Sequence, residues 1–162
     1  MNKKYNSEAD TRKHIARVSK YIGGVIHKLL FRQNEHDKSK LSEEEKPIFD
    51  KFTPQLAKST YNSPKYKQFL VDMKPALDHH YDNNTHHPEH YFRKNSADFT
   101  GFYGLHDMNL IDVIEMLCDW KAASERHNDG DIYISIEKNQ KRFGYDNELK
   151  SILINTAKYL NM

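Results

Sequence analysis

The stretch NLIDVIEMLCDWKAASE, residues 109–125, is the clearest helical segment of the sequence. Its apolar side chains are spaced as on one face of a helix, at Leu110, Ile111, Ile114, Leu117 and Cys118. That spacing is typical of an amphipathic α-helix with one buried face. The stretch therefore predicts an α-helix from Asn109 to about Glu125.

The same helical period continues on the N-terminal side. Residues 7–31 carry a continuous apolar stripe, at Ile15, Val18, Ile22, Val25 and Leu29. Gly23 and Gly24 interrupt that segment and indicate a close helix contact or a bend. A second helix is expected after Ser42, and a third from Ser63 to the histidines near residue 79, with a kink or break at Pro75.

Two closing helices are predicted over residues 132–143 and 146–160. The segment DIYISI, residues 131–136, is an alternative short strand because it is β-branched and aromatic. Residues 93–106 lack helical order and are predicted to form a loop. The sequence therefore predicts an all-α fold of roughly six or seven helices, as a single domain over residues 1–162.

Composition excludes several classes of protein. The formal net charge of +2 is too small to favour a nucleic-acid partner on electrostatic grounds. Cys118 is the single cysteine, so no disulfide can form within the chain, and a reducing cytoplasm is expected. The polar N-terminal segment does not resemble a signal peptide, and no apolar run is long enough to cross a bilayer.

The histidines carry the strongest chemical signal. Five of the ten lie in HHYDNNTHHPEH, residues 79–90. Imidazole and carboxylate are the usual protein ligands of zinc, manganese, iron and related divalent ions. Consecutive histidines on a helix point about 100° apart, so we expect two or three ligands from this run. A solvent-exposed polar run is the alternative.

Three further candidates lie outside that run. His14 is adjacent to the apolar stripe, where a lone histidine is more often structural. His36 and Asp37 are adjacent and able to reach one ion, although their dipeptide alone is common. Asp119 lies among apolar neighbours, where a carboxylate needs a partner such as a cation. Its alternative role is in an ordinary acidic stripe with Asp112 and Glu115.

The order of these residues resembles the HD-domain superfamily of metal-dependent phosphohydrolases, whose pattern is H…HD…H…H…D on an all-α fold. The string HDKSK, residues 36–40, is similar to the HD-x-x-K strings of that superfamily. Three segments look closer still to a family of small bacterial and phage proteins of unknown function: HDKSKL, LDHHYDNNTHHPEH and LIDVIEMLCDWKAASERHNDGDI. The resemblance covers roughly residues 10–143.

The resemblance implies a metal centre with a defined set of ligands. Its primary ligands would be His14, His36, Asp37 and Asp119. One of His79 or His80, and one of His86 or His87, would complete a second site that Asp37 bridges. His90 stays open as a substitute for His86 or His87. The ligand candidates are thus His14, His36, Asp37, His80, His86, His87 and Asp119.

The resemblance also implies a reaction. One or two divalent ions (Mn, Co, Mg, Fe, Ni or Zn) would supply hydroxide for attack on a phosphate ester or anhydride of a small nucleotide. Asp37, His80 and Lys40 are the expected catalytic residues. Substrate contacts are expected from Lys38, Lys40, His79, His90 and Arg126.

Two alternatives belong to other classes of function. The chain could be a binding module that sequesters a nucleotide or holds a structural metal, or a di-iron oxygenase, as a few HD-type proteins are. The expected partner is a small-molecule nucleotide. The oligomeric state stays open between monomer and homodimer. The expected compartment is the cytoplasm, or the host cytoplasm if a phage encodes the chain.

Overall fold

A computed structural model of the chain describes residues 6–59, 63–94, 105–126 and 130–162, without the side chains of residues 92–94. These residues contain helices and no strand, which confirms the all-α prediction. The α-helices are α1 (Glu8–Glu35), α2 (Lys46–Ala57), α3 (Pro64–Asp72), α4 (Lys74–Asn83), α5 (Glu89–Lys94), α6 (Leu110–Ser124), α7 (Ile132–Phe143) and α8 (Asn147–Tyr159). A short 3-10 helix covers Lys38–Leu41.

The described residues form eight α-helices rather than the predicted six or seven, because residues 64–94 form three separate helices. Met73 ends α3 and precedes α4, so Pro75 lies in the first turn of α4, where its missing N–H breaks no helical hydrogen bond. Pro88 then precedes the short helix α5. The break predicted at Pro75 is confirmed.

Side-chain caps explain several helix boundaries. Ser63 accepts a hydrogen bond from the backbone N–H of Tyr66 at the start of α3. Asn109 and Asp112 form a capping box at the start of α6. Asp131 accepts from the N–H groups of two residues in the first turn of α7, so DIYISI begins a helix and not a strand. Most of the predicted loop, residues 95–104, lies outside the described residues.

The chain divides into two compact units, residues 1–35 and residues 36–162. The first contains α1, whose apolar stripe lies along one face and which has no buried residue. Within the second unit, α2, α3 and α4 pack together, and α6 and α8 each pack on α7. The prediction of a single domain over residues 1–162 stays a prediction.

Two apolar clusters form the core of the second unit. One lies among α6, α7 and α8 and includes the fully buried side chains of Met116 and Ile136. The other joins α2 and α3 through Phe52, Phe69 and Met73. No helix in the described part of the chain combines the length and apolar character that crossing a membrane requires.

Candidate metal centre

His36 and Asp37 occupy the turn that precedes the 3-10 helix. Asp37 has φ 56°, in the left-handed region that aspartate tolerates better than most residues. The turn continues directly into the 3-10 helix, whose residue Lys40 donates its backbone N–H to the carbonyl of Asp37. Lys40 also donates from its side chain to Asp37 Oδ2. A tight local turn therefore fixes the position of the Asp37 carboxylate.

The histidine run divides between a helix and a turn. His80 lies on α4 and is buried, whereas His86 and His87 lie in the turn between α4 and α5. The argument that adjacent histidines point about 100° apart holds only on a helix. In this turn the two neighbouring imidazoles, with ring centroids 4.1 Å apart, both approach the same centre.

Three of these histidines lie close to the Asp37 carboxylate. Its Oδ1 lies 3.3 Å from His80 Nε2 and 3.6 Å from His86 Nε2. The Nε2 atom of His87 lies 2.9 Å from that of His80. One ligand atom from each of Asp37, His80, His86 and His87 falls within 4.8 Å of all the others. We call these four residues the three-histidine site.

A second group lies around the other oxygen of the same carboxylate. His36 Nε2 is 3.6 Å from Asp37 Oδ2 and 3.9 Å from Asp119 Oδ1. Asp119 belongs to α6, so this group joins the turn before the 3-10 helix to the longest helix of the second unit. We call His36, Asp37 and Asp119 the oxygen-rich site. Asp37 is common to both sites.

Two buried carboxylates orient the imidazoles. Glu115 Oε1 lies 2.8 Å from His36 Nδ1 and 3.2 Å from His86 Nδ1. Glu45 lies 2.7 Å from His79 Nδ1 and 3.0 Å from His80 Nδ1. A carboxylate that accepts from Nδ1–H leaves the lone pair on Nε2. His36, His86 and Glu115 also lie close enough to share an ion, but these hydrogen-bond lengths favour the orienting role.

Sequence reasoning missed both orienting roles. In the sequence Glu45 is one of three consecutive glutamates after Ser42, which suit the positive end of a helix dipole, and Glu115 belongs to the acidic stripe with Asp112 and Asp119. Glu45 is the N-cap residue of α2, yet its side chain is fully buried. The sequence signal for Glu115 is its position four residues before Asp119, which places both on one face of a helix. No comparable signal in the sequence distinguishes Glu45 from its exposed neighbours.

Burial keeps the histidines of the turn neutral. It lowers the pKa of His86 to about 4. Burial, together with repulsion from His86 and His80, lowers the pKa of His87 to about 2. Neutral imidazoles are the form that coordinates metal ions. The two rings are therefore available as ligands over the physiological pH range.

The carboxylates that share the centre affect each other's charge. Burial raises the pKa of Asp119, and the negative charge of Asp37 raises it further. Burial also raises the pKa of Asp37, but contact with His80 and the Lys40 ammonium outweighs it and leaves that pKa well below its usual range. A cation between the two carboxylates would remove their repulsion.

Two buried atoms test whether the residues fit a metal ion. Among the side chains that the structure describes, Asp37 Oδ1 and His86 Nε2 are buried without a hydrogen-bond partner. Such atoms are costly unless something else satisfies them. Ligands about 2.1 Å from an ion lie roughly 3.4 Å apart at tetrahedral angles. The separations of 3.3 Å from Asp37 Oδ1 to His80 Nε2 and 3.6 Å to His86 Nε2 are close to that value, so these three donors fit a divalent ion. His80 Nε2 and His87 Nε2, now 2.9 Å apart, would have to separate slightly for His87 to join them.

The structure brings six predicted ligands into this centre: His36, Asp37, His80, His86, His87 and Asp119. The seventh, His14, lies on α1 in the other unit, beside Ile15 and Val18. Its role as a ligand stays a prediction.

The predicted substrate contacts are more dispersed. Lys40 lies at the centre, and Arg126 is exposed just after α6 while its charge still reaches Asp119. Lys38 is exposed on the 3-10 helix. His79 is half-exposed and bonded to Glu45. His90 is buried, and its Nδ1 donates to the carbonyl of Tyr81, which favours a structural role.

Comparison with known proteins gives a family without an assigned activity. No curated protein and no solved structure matches the chain. A family model described as a family of unknown function (DUF5662) matches residues 3–161. Because that match covers nearly the whole sequence, the chain belongs to the DUF5662 family.

Proposed function

We propose that the chain is a metal-dependent phosphohydrolase that cleaves a phosphate ester or anhydride bond of a small nucleotide. The observation that supports this most is the position of Asp37. One of its oxygens lies 3.3 and 3.6 Å from the Nε2 atoms of His80 and His86, and the other lies 3.6 Å from His36 Nε2. His87 and Asp119 complete the two groups. A carboxylate shared in this way is suited to bridge two divalent ions, as two-metal phosphatases and nucleases require.

When bound, the ions would make water acidic enough to supply hydroxide near neutral pH. The residues of the chain have separate tasks. Lys40, whose ammonium lies beside Asp37 Oδ2, would offset negative charge that develops on the phosphoryl oxygens. Arg126 and Lys38 are exposed and able to contact a phosphate group. His80 is buried and engaged at both ring nitrogens, so it would act as a ligand rather than as a proton donor.

The substrate class rests on the resemblance to the HD-domain superfamily, because fold and metal chemistry alone do not select a substrate. We further propose that the activity is cytoplasmic, since the only cysteine, Cys118, cannot form a disulfide within the chain. The sequestering module and the di-iron oxygenase have no separate structural support and are outcomes of the test.

The test incubates the full chain with Mn²⁺ or Co²⁺ and a panel of nucleotides, and detects products by mass spectrometry. We expect at least one nucleotide to be hydrolysed by the wild type. Loss of a residue that only contacts a metal ligand costs about 10–100-fold elsewhere. Asp37→Ala removes a proposed ligand itself, so it should lower the rate at least about a hundredfold. Asp50→Ala, on the exposed surface of α2, is the matched control and should leave the rate unchanged.

Unchanged turnover in a folded Asp37→Ala variant would contradict the proposed site. A metal-loaded wild type that leaves every nucleotide intact would contradict the hydrolase. Visible absorbance from bound iron would then favour the oxygenase, and a nucleotide recovered intact in complex with the protein would favour the sequestering module.

A further inference from the structure

The two halves of the centre offer very different ligands. The three-histidine site provides three imidazole nitrogens and one carboxylate oxygen. The oxygen-rich site provides one imidazole nitrogen and two carboxylate groups from the second unit. Imidazole suits zinc, cobalt, iron and nickel, whereas carboxylate and water suit magnesium and manganese. The halves should therefore differ in the ion they prefer and in how tightly they hold it.

We propose that the two halves have separate tasks: the three-histidine site permanently retains one transition-metal ion, and the oxygen-rich site holds an exchangeable ion and is the one open to substrate. This inference rests on the metal centre of the proposed function. It assigns a role to each half that the resemblance alone does not provide.

The number of ligands supports this division. Four protein ligands close the shell of a tetrahedral ion, which is typical of sites that hold a metal without reacting. His80, His86, His87 and Asp37 supply four such donors. The oxygen-rich site draws three donors from the second unit, and three-donor sites leave positions for water or substrate.

Burial supports it as well. His80 and His86 are each about 1% exposed. Rings buried to this degree have little freedom left to lose when an ion binds, so the ion should leave slowly. By contrast, the side chain of His36 is 32% exposed and that of Asp119 is 19% exposed. Water and substrate can therefore reach the oxygen-rich site more easily.

The experiment measures how many ions the full chain retains. Chelator-treated protein is loaded with excess Co²⁺ and dialysed against metal-free buffer, and the retained cobalt is measured by elemental mass spectrometry. The wild type should keep about one ion per chain and show the intense visible bands of four-coordinate Co²⁺. Asp119→Asn should retain the same amount with the same spectrum.

His87→Asn should lose the retained ion, with at least about a tenfold decrease in bound cobalt after dialysis and loss of the intense bands. His106→Asn is the matched control because His106 is exposed and lies outside both sites. Circular dichroism checks that each variant keeps its helices. The wild-type stoichiometry and the Asp119→Asn result decide the question even where His87→Asn fails to fold.

The inference is overturned if both ions leave the wild type together, or if Asp119→Asn loses the retained ion. Retention of the ion by folded His87→Asn overturns it too. In those cases the metal centre itself still stands. If the wild type binds no Co²⁺ under any loading condition, the proposed function fails together with the inference.

Discussion

Glu45 and Glu115 determine which nitrogen of each imidazole faces the centre. Each is buried and lies within 3.2 Å of the Nδ1 atoms of two histidines. A buried carboxylate is costly unless its hydrogen bonds are complete. The pairs therefore act together: the carboxylates fix the rings, and the rings satisfy the carboxylates.

Replacement of Glu45 tests this arrangement at the residue scale. The amide introduced by Glu45→Gln can accept from one imidazole N–H, but its NH₂ group opposes the other, so the ring of His79 or His80 must turn. The variant should therefore bind metal about 10–100-fold more weakly, as loss of outer-shell partners does elsewhere. Calorimetric titration with Zn²⁺ measures the change. Glu44→Gln, at an exposed neighbour, should leave the affinity unaltered; equal losses in the two variants would contradict the orienting role.

Local rules predicted most of the elements. The caps at Ser63, Asn109 and Asp131 begin helices where the sequence indicates. Two features depend on tertiary contacts instead. His86 and His87 share one centre because the chain between α4 and α5 is a turn, which the helical period cannot reveal. The burial of Glu45 depends on the packing of α4 beside the start of α2, and no local pattern encodes that contact.

Asp112 links two elements of the site. It is buried on the first turn of α6 and accepts hydrogen bonds from Thr85 Oγ1 at 2.6 Å and Tyr91 OH at 2.9 Å. Asn109 donates to it from the same turn. The carboxylate therefore ties the histidine turn and α5 to α6, the helix that carries Glu115 and Asp119. It completes a capping box and joins two parts of the site at once.

At the scale of elements, Asp112→Ala should lower the free energy of unfolding by about 2–4 kcal/mol, because the half-buried hydroxyls of Thr85 and Tyr91 lose their buried acceptor. Asp131→Ala is the control, since it removes a helix cap on the exposed start of α7 and should cost about 1 kcal/mol. Urea denaturation measures both. Similar losses in the two variants would show that Asp112 is only a helix cap.

For the whole molecule, the buried histidines make the stability of the metal-free protein depend on pH. Both His86 and His87 have pKa values below the ordinary 6.5, at about 4 and about 2. The unfolded chain therefore binds protons first as the pH falls. The pKa of His36 is raised, so its contribution to the free energy of unfolding changes above pH 6.5 instead. Asp119 has the opposite effect on the pH dependence of stability. Burial raises its pKa above 3.8, so its carboxyl group binds a proton in the folded protein before it does in the unfolded chain.

The effect of His86 and His87 should outweigh that of Asp119. The free energy of unfolding of the metal-free protein should therefore fall as the pH drops from 6.5 toward 4. Each histidine contributes at most about 1.4 kcal/mol per pH unit. Thermal denaturation across this range measures the effect. His87→Asn should reduce the slope and His106→Asn should not. A stability that stays constant or increases toward pH 4 would contradict the burial of these rings as neutral groups.

The central claim is that Asp37 bridges two metal ions, and the most direct test is a crystal of the full chain grown with Mn²⁺ or Co²⁺. An anomalous difference map locates the ions without reference to activity. The account predicts two peaks, one on each side of the Asp37 carboxylate and about 3.5–4 Å apart. One should lie among His80, His86 and His87, and the other beside His36 and Asp119. The absence of a peak at Asp37 in a metal-saturated crystal would contradict the account.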